Sequence, residues 1–232
     1  MPHLLLLHGA LGSATTLQPL QQLLEPYYTV HTLNFTGHGG TDLSADAFSI
    51  EAFAEDTLRY LEEQDLQTVD IFGYSMGGYV ALYLALQHPA RVGRIFTLAT
   101  KFAWSPETAA KEVKMLQPQK IEEKVPAFAT VLAERHSPTD WREVMTRTAD
   151  MMQALGRQPL LTEAALAQLD KPVRVSVGDR DNMVGIQETV WAYQQLPQAS
   201  LLVMPDTRHP LDQVELQRLQ WEIRQFFSEH VV

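Results

Sequence analysis

The chain has 232 residues and a mass of 26.2 kDa, with 45% hydrophobic and 20% charged residues. That suits one soluble domain of generous size, or one domain carrying a modest insertion. Acidic residues outnumber basic ones 28 to 18, a net charge of −10, which argues against a broad nucleic-acid-binding face and against anchoring to an anionic membrane. No cysteine is present, so disulfides, thiolate metal sites and a cysteine nucleophile are excluded.

The first strand is expected over 3–7, a short apolar block too small for a membrane span and without the basic stretch of a signal peptide. A cytoplasmic protein is the expectation. A helix over 15–24 ends at Pro26. A strand over 28–33 then leads into the turn Thr36-Gly37-His38-Gly39-Gly40. Ile50, Phe53, Ala54, Thr57, Leu58 and Leu61 repeat at helical spacing, with Ser49 placed as N-cap. A strand over 69–72 is followed by a helix over 76–87 that is apolar nearly all round and therefore buried. Gly77, Ala81 and Ala85 give that helix a narrow side for close approach to a sheet. The strand over 92–99 closes this first run.

Between Lys101 and Leu161 the pattern shows no strand, only helix-like pieces interrupted by Pro106, Pro118, Pro126, Pro138 and Pro159. Alternation resumes with a strand over 173–177, a helix over 185–196, a strand over 200–204 and a closing helix over 211–229. Strands separated by helices imply right-handed crossovers and a mainly parallel sheet covered on both faces. The expected fold is therefore α/β, with six strands in the sheet and a helical cap inserted at 101–161 between core segments 1–100 and 162–232.

Gly73-Tyr74-Ser75-Met76-Gly77 fits G-x-S-x-G. Alone the match is weak; a strand leading straight in and a helix straight out is the context that a nucleophile elbow demands. A serine hydroxyl attacks poorly until a base takes its proton. Of eight histidines, His3, His8 and His31 lie in or beside early strands, His38 in a glycine turn, His88 and His136 near helix ends, and His230 close to the terminus. His209 lies in the loop after the last strand, at the sheet edge where open α/β sheets build their sites. A carboxylate must orient that histidine, and Gly178-Asp179-Arg180-Asp181 offers two.

At this point the chain resembles the α/β-hydrolase fold superfamily, in particular its capped serine hydrolases. The resemblance rests on His8-Gly9-Ala10, the serine elbow, Gly178-x-x-Asp181, and His209 before a helix, in the family order Ser75, Asp181, His209. It selects Asp181 over Asp179 as the acid, and closes the alternative of an acid after the fourth strand, since Ala99-Thr100-Lys101 has no carboxylate. It places the oxyanion donors at the backbone N–H groups of Ala10 and Met76, with Leu11 as the fallback. It also makes His8 a brace of its loop. Two departures stand out: relatives generally open with an extra antiparallel strand or two, whereas the sequence starts seven residues ahead of His8, and Asn34 stands where relatives tend to carry aspartate.

The resemblance implies a serine hydrolase acting on a small ester or thioester through an acyl-enzyme, without cofactor or metal. Partners beyond that small molecule are not expected: no nucleic acid and no membrane, with the chain a monomer or a small homo-oligomer. The alternatives are a lyase acting on an anionic metabolite, as in menaquinone-pathway members, and a ligand receptor that does not turn over. Candidate substrate contacts are Leu11, Tyr74, Lys101, Met115, Arg142 and Met145. Nine of the 18 basic residues fall within 101–161. Either they are an ordinary solvated helical surface, or Lys101, Arg135, Arg142 or Arg147 meets an anionic substrate group at the rim. Met115, Met145, Met151 and Met152 are read as an adaptable apolar wall, with core packing the competing reading.

Overall fold

The computed structural model describes residues 1–43 and 48–228. Six parallel strands lie in the order β2-β1-β3-β4-β5-β6: β1 His3–Leu7, β2 Thr29–Thr32, β3 Val69–Tyr74, β4 Val92–Leu98, β5 Val173–Gly178 and β6 Ala199–Met204. Each is linked to the next by helical segments: α1 Ala14–Leu24, α2 Ile50–Glu63, α3 Met76–Gln87, then α4 to α8, α9 Ile186–Gln195, and α10 Leu216–Ser228 after β6.

Strand alternation sends side chains to two cores. Leu5, Leu7, Ile71, Ile95 and Val173 pack with Phe53, Leu61, Val80 and Leu84 of α2 and α3. Leu4, Leu6, Phe72 and Phe96 pack against Leu17, Leu20 and Leu24 of α1 and Leu219, Ile223 and Phe226 of α10. As its composition demands, α3 is buried around most of its circumference. A Cβ on Gly77 would lie 2.3 Å from Leu7 O, so glycine is what lets this helix sit on the first strand. Ser49 caps α2 by accepting from Ala52 N–H at 3.2 Å.

Between β4 and β5 run α4 Pro106–Glu112, α5 Pro118–Lys124, α6 Pro126–His136, α7 Trp141–Arg157 and the short α8 Glu163–Leu166. The prolines punctuate this excursion in a specific way. Pro106, Pro118 and Pro126 open helices, where a missing N–H costs nothing, while Pro138 and Pro159 fall in the connections around α7. The closing helix differs from the expectation: a short turn of 3-10 helix, Leu211–Gln213, precedes α10, which begins at Leu216. Glu229 and His230 lie outside the described residues.

Candidate active site

β3 enters α3 through Ser75, whose backbone adopts φ 52° and ψ −116°, a conformation strained for any residue with a Cβ. The elbow is held from both sides. Ser75 N–H donates to Leu98 O at 2.8 Å, and Thr100 Oγ1 donates to Ser75 O at 2.9 Å. The loop after β4, which has no acid, thus contributes a hydroxyl that locks the elbow. A Cβ on Gly73 would come within 2.4 Å of Gly78 Cα, so the tight turn requires glycine there. Ser75 stands at the N-terminus of α3, where unpaired N–H groups favour developing negative charge.

His209, in the loop after β6, is buried, and its Nδ1 donates to Asp181 Oδ2 at 2.8 Å. That leaves Nε2 with its lone pair, the form a general base needs. Asp181 Oδ1 accepts Met183 N–H and Val184 N–H, each at 2.8 Å, which turns the other oxygen towards the imidazole. Burial pushes the Asp181 carboxyl up, but the hydrogen bond and charge of His209, with the two backbone N–H groups, hold it below the ordinary carboxylate range. Asp179 does something else: its Oδ1 accepts Thr207 N–H at 3.2 Å and ties the β5 loop to the β6 loop. Tyr74 braces the His209 backbone, its O–H donating to His209 O at 2.7 Å.

Ser75 and His209 open onto one cavity of about 490 Å³, counted with its mouth. Ala10 and Met76, the expected oxyanion donors, line it too. Met76 is the first residue of α3, so its N–H has no carbonyl partner in that helix. The remaining wall is mostly apolar and includes Ile50, Tyr79, Trp104, Met151, Leu155 and Met183.

The loop bearing Ala10 is closed by Gly12 N–H donating to Gly9 O at 3.0 Å. Beneath it His8 is fully buried. Its Nδ1 donates to Gly9 O at 2.8 Å and its Nε2 accepts Phe35 N–H at 3.3 Å, so it braces the loop as a neutral ring. Burial drives its pKa down to about 4. Above the loop, Leu11 sits at φ 55°, and its carbonyl accepts from Arg135 Nη1 at 2.7 Å and His136 Nε2 at 3.2 Å. His136 Nδ1 in turn accepts Gly39 N–H at 3.1 Å, and burial lowers its pKa to about 4 as well. Asn34 braces the same region from the other side. Its Oδ1 accepts Ala14 N–H at 2.7 Å and its Nδ2 donates to Gly39 O at 3.3 Å, so the amide both caps α1 and holds the glycine turn.

Of the six candidate substrate contacts, only Lys101 lines the cavity. Leu11, whose backbone is left-handed, is buried in one cluster with Leu132 of α6 and Trp141, Val144 and Met145 of α7, and neither Leu11 nor Met145 lines the cavity. Tyr74 points under His209. Met115 is 71% exposed, at the end of the short helical turn Val113–Met115. Arg142 is exposed, stacked on Trp141 and bound to Glu122 and Asp140. Of the four methionines read as a wall, Met151 and Met152 line the cavity. Trp104, Ile50 and Met183 were missed. Ile50 reads as plain core at the start of an amphipathic helix, and only the position of Met183 just after Asp181 could have signalled its place.

A model of the alpha/beta hydrolase fold matches residues 2–144. The chain is 24% identical to the pimeloyl-[acyl-carrier protein] methyl ester esterase of Aliivibrio fischeri, over 98% of this chain and 94% of that protein. It is 27% identical to the protein of the same name from Vibrio campbellii, over 97% and 94%. Among solved structures, a thermophilic esterase from Thermogutta terrifontis superposes with a TM-score of 0.78 at 21% identity, over 98% of this chain and 89% of that one.

Proposed function

Because this chain belongs to the α/β-hydrolase fold family, we propose that it is a carboxylic ester hydrolase working through an acyl-enzyme on Ser75. The observation that carries the proposal is the His209–Asp181 hydrogen bond, with His209 facing the same cavity as an elbow serine. Ser75 attacks the ester carbonyl while His209 Nε2 takes its proton, and the alcohol leaves with that proton. Water, deprotonated by the same nitrogen, then releases the acid. Asp181 holds the imidazole in the required tautomer, and the N–H groups of Ala10 and Met76 stabilise the tetrahedral oxyanion.

Residues 101–161 serve as a lid, since Trp104, Glu112, Met151, Met152 and Leu155 from this stretch complete the cavity wall. The substrate is a small ester or thioester. The names of the Aliivibrio and Vibrio relatives support an acyl chain whose far end is extended by a larger group. The candidate contacts Leu11, Tyr74, Met115, Arg142 and Met145 are assigned no substrate role in this reading. Among the described residues no helix is long and apolar enough to cross a membrane. The test is twofold: labelling of Ser75 by a fluorophosphonate probe, and multiple turnover of p-nitrophenyl esters. Labelling of any other residue, or labelling of Ser75 without ester turnover, overturns the proposal.

A further inference from the structure

Lys101, at the start of the lid, is the cation that faces the cavity, and its ammonium is already committed. Nζ donates to Met183 O at 3.1 Å and lies 3.3 Å from Glu112 Oε1 and 3.7 Å from Glu188 Oε1. An ammonium has three donors, and three acceptors surround this one. The cluster is well shielded from solvent: the side chains of Lys101, Glu112 and Glu188 are 16%, 11% and 12% exposed. Glu188 is occupied elsewhere too, accepting Phe102 N–H and Ala103 N–H at one oxygen and Gly185 N–H at the other. Glu112 differs. It lines the cavity, and Lys101 is its one partner among the described residues.

Two carboxylates against one ammonium leave this wall with a net negative charge beside an otherwise apolar cavity. We infer that Glu112 is a specificity-determining residue, and that the site takes esters with uncharged, apolar acyl chains while rejecting those that carry a carboxylate. An acyl carboxylate would find no free donor on Lys101 and would face Glu112 in a poorly solvated space, where like charges are costly. The inference rests on ester hydrolysis at Ser75, and inverts the reading of Lys101 as a receptor for an anionic group.

The test uses three p-nitrophenyl esters of matched length: hexanoate, 6-ammoniohexanoate and adipate monoester. Both charged chains pay similar desolvation, so their ratio reads the sign of the field in the cavity. Assays at roughly 0.5 M salt screen the overall negative charge of the protein, leaving the local, shielded wall. For the wild type, kcat/KM is expected to fall from hexanoate to the ammonium ester to the adipate monoester, with the last two at least about tenfold apart. Glu112→Gln should shrink the cation-to-anion ratio at least about threefold, and Lys101→Gln should enlarge it. Equal turnover of the two charged esters by the wild type overturns the inference without any variant having to fold. So does a ratio that Glu112→Gln leaves unchanged. Failure of all three esters to turn over, with Ser75 unlabelled, instead removes the hydrolase reading beneath it.

Discussion

The loops at the carboxyl edge of the sheet and the helices laid over them reach the same cavity, but hold their side chains differently. At the sheet edge each functional group follows directly from a strand end. Ser75 ends β3 in a strained turn, Asp181 follows β5, and His209 follows β6, joined by one 2.8 Å hydrogen bond. In the helical excursion the groups that matter act across the chain. Arg135 and His136 clamp a carbonyl 124 and 125 residues earlier, and Tyr79 O–H holds the returning chain by accepting Leu160 N–H and Leu161 N–H at 3.1 and 2.9 Å. Three of its cations are also paired, partly across the chain: Arg142 with Glu122 and Asp140, Arg147 with Glu143, Lys101 with Glu112 and Glu188. Local geometry places the chemistry, and long-range contacts adjust it.

The sheet-edge half of that contrast breaks most visibly at the nucleophile. Ser75→Ala should cost about three orders of magnitude or more in ester turnover while the protein stays folded, since the hydroxyl supplies the covalent route. Ser75→Gly should be equally inactive yet more stable than the alanine variant by about 1 kcal/mol, because glycine relieves the positive φ. Turnover within about tenfold of wild type in either variant removes the acyl-enzyme.

Next comes the acid. Asp181→Asn should lose about two to four orders of magnitude by presenting a donor to His209 Nδ1 and mispairing the tautomer. Asp179→Asn should stay within roughly fivefold, since its oxygen serves a backbone N–H and the amide oxygen can replace it. Because the Asp181 carboxyl is held low in the folded protein, its ionised form adds stability above the unfolded carboxylate range. That contribution is lost as pH falls through the lowered folded value. The reverse ranking of the two variants would move the acid to Asp179.

The two regions meet at buried neutral histidines, and there acid should separate them. His8 and His136 have folded pKa values near 4, against about 6.5 unfolded, so above pH 6.5 neither affects stability. Below it the unfolded chain takes up protons that the folded one refuses, and stability drains away down to about pH 4, by about 3 kcal/mol for His8. Urea midpoints at pH 7.5 and 5 measure this, and His136→Gln, which keeps a donor and an acceptor without titrating, should flatten the slope. Identical midpoints at the two pH values would mean that the histidines are not held neutral.

What was legible in the sequence follows the same division. The strands, the buried α3 and the elbow could be read because each depends on residues within a few positions of one another. The 3-10 turn before α10 was hidden, because Leu211 lies at helical spacing from Leu219 and Ile223 and extends their apolar pattern back to Pro210. Helices of the excursion were visible as pieces, yet the meaning of their charges was not. Arg142 reads as a rim cation until Glu122, twenty residues away, is found beside it. Leu11 reads as a cavity residue because it follows Ala10, and only its packing with Leu132, Val144 and Met145 shows that it faces α6 and α7 instead. Pairings of this kind leave no period in a sequence.

The smallest expected effect is the most informative about how the two regions communicate. Leu11 holds a left-handed backbone that costs about 1–2 kcal/mol for a residue with a Cβ. The two hydrogen bonds to its carbonyl, from Arg135 and His136, keep the turn from relaxing. Ala10 belongs to that same turn, so under the proposed mechanism Arg135 positions an oxyanion donor through the Leu11 carbonyl. Arg135→Met should therefore lower kcat about tenfold, because a displaced donor is missed only when the oxyanion forms, and leave KM within about twofold. Arg135→Lys, which keeps a cationic donor on a shorter reach, should recover part of kcat. A merely structural role would reduce the fraction of active protein without this split and without rescue. If titration of active sites shows full kcat per Ser75 in Arg135→Met, α6 covers the loop without setting its geometry.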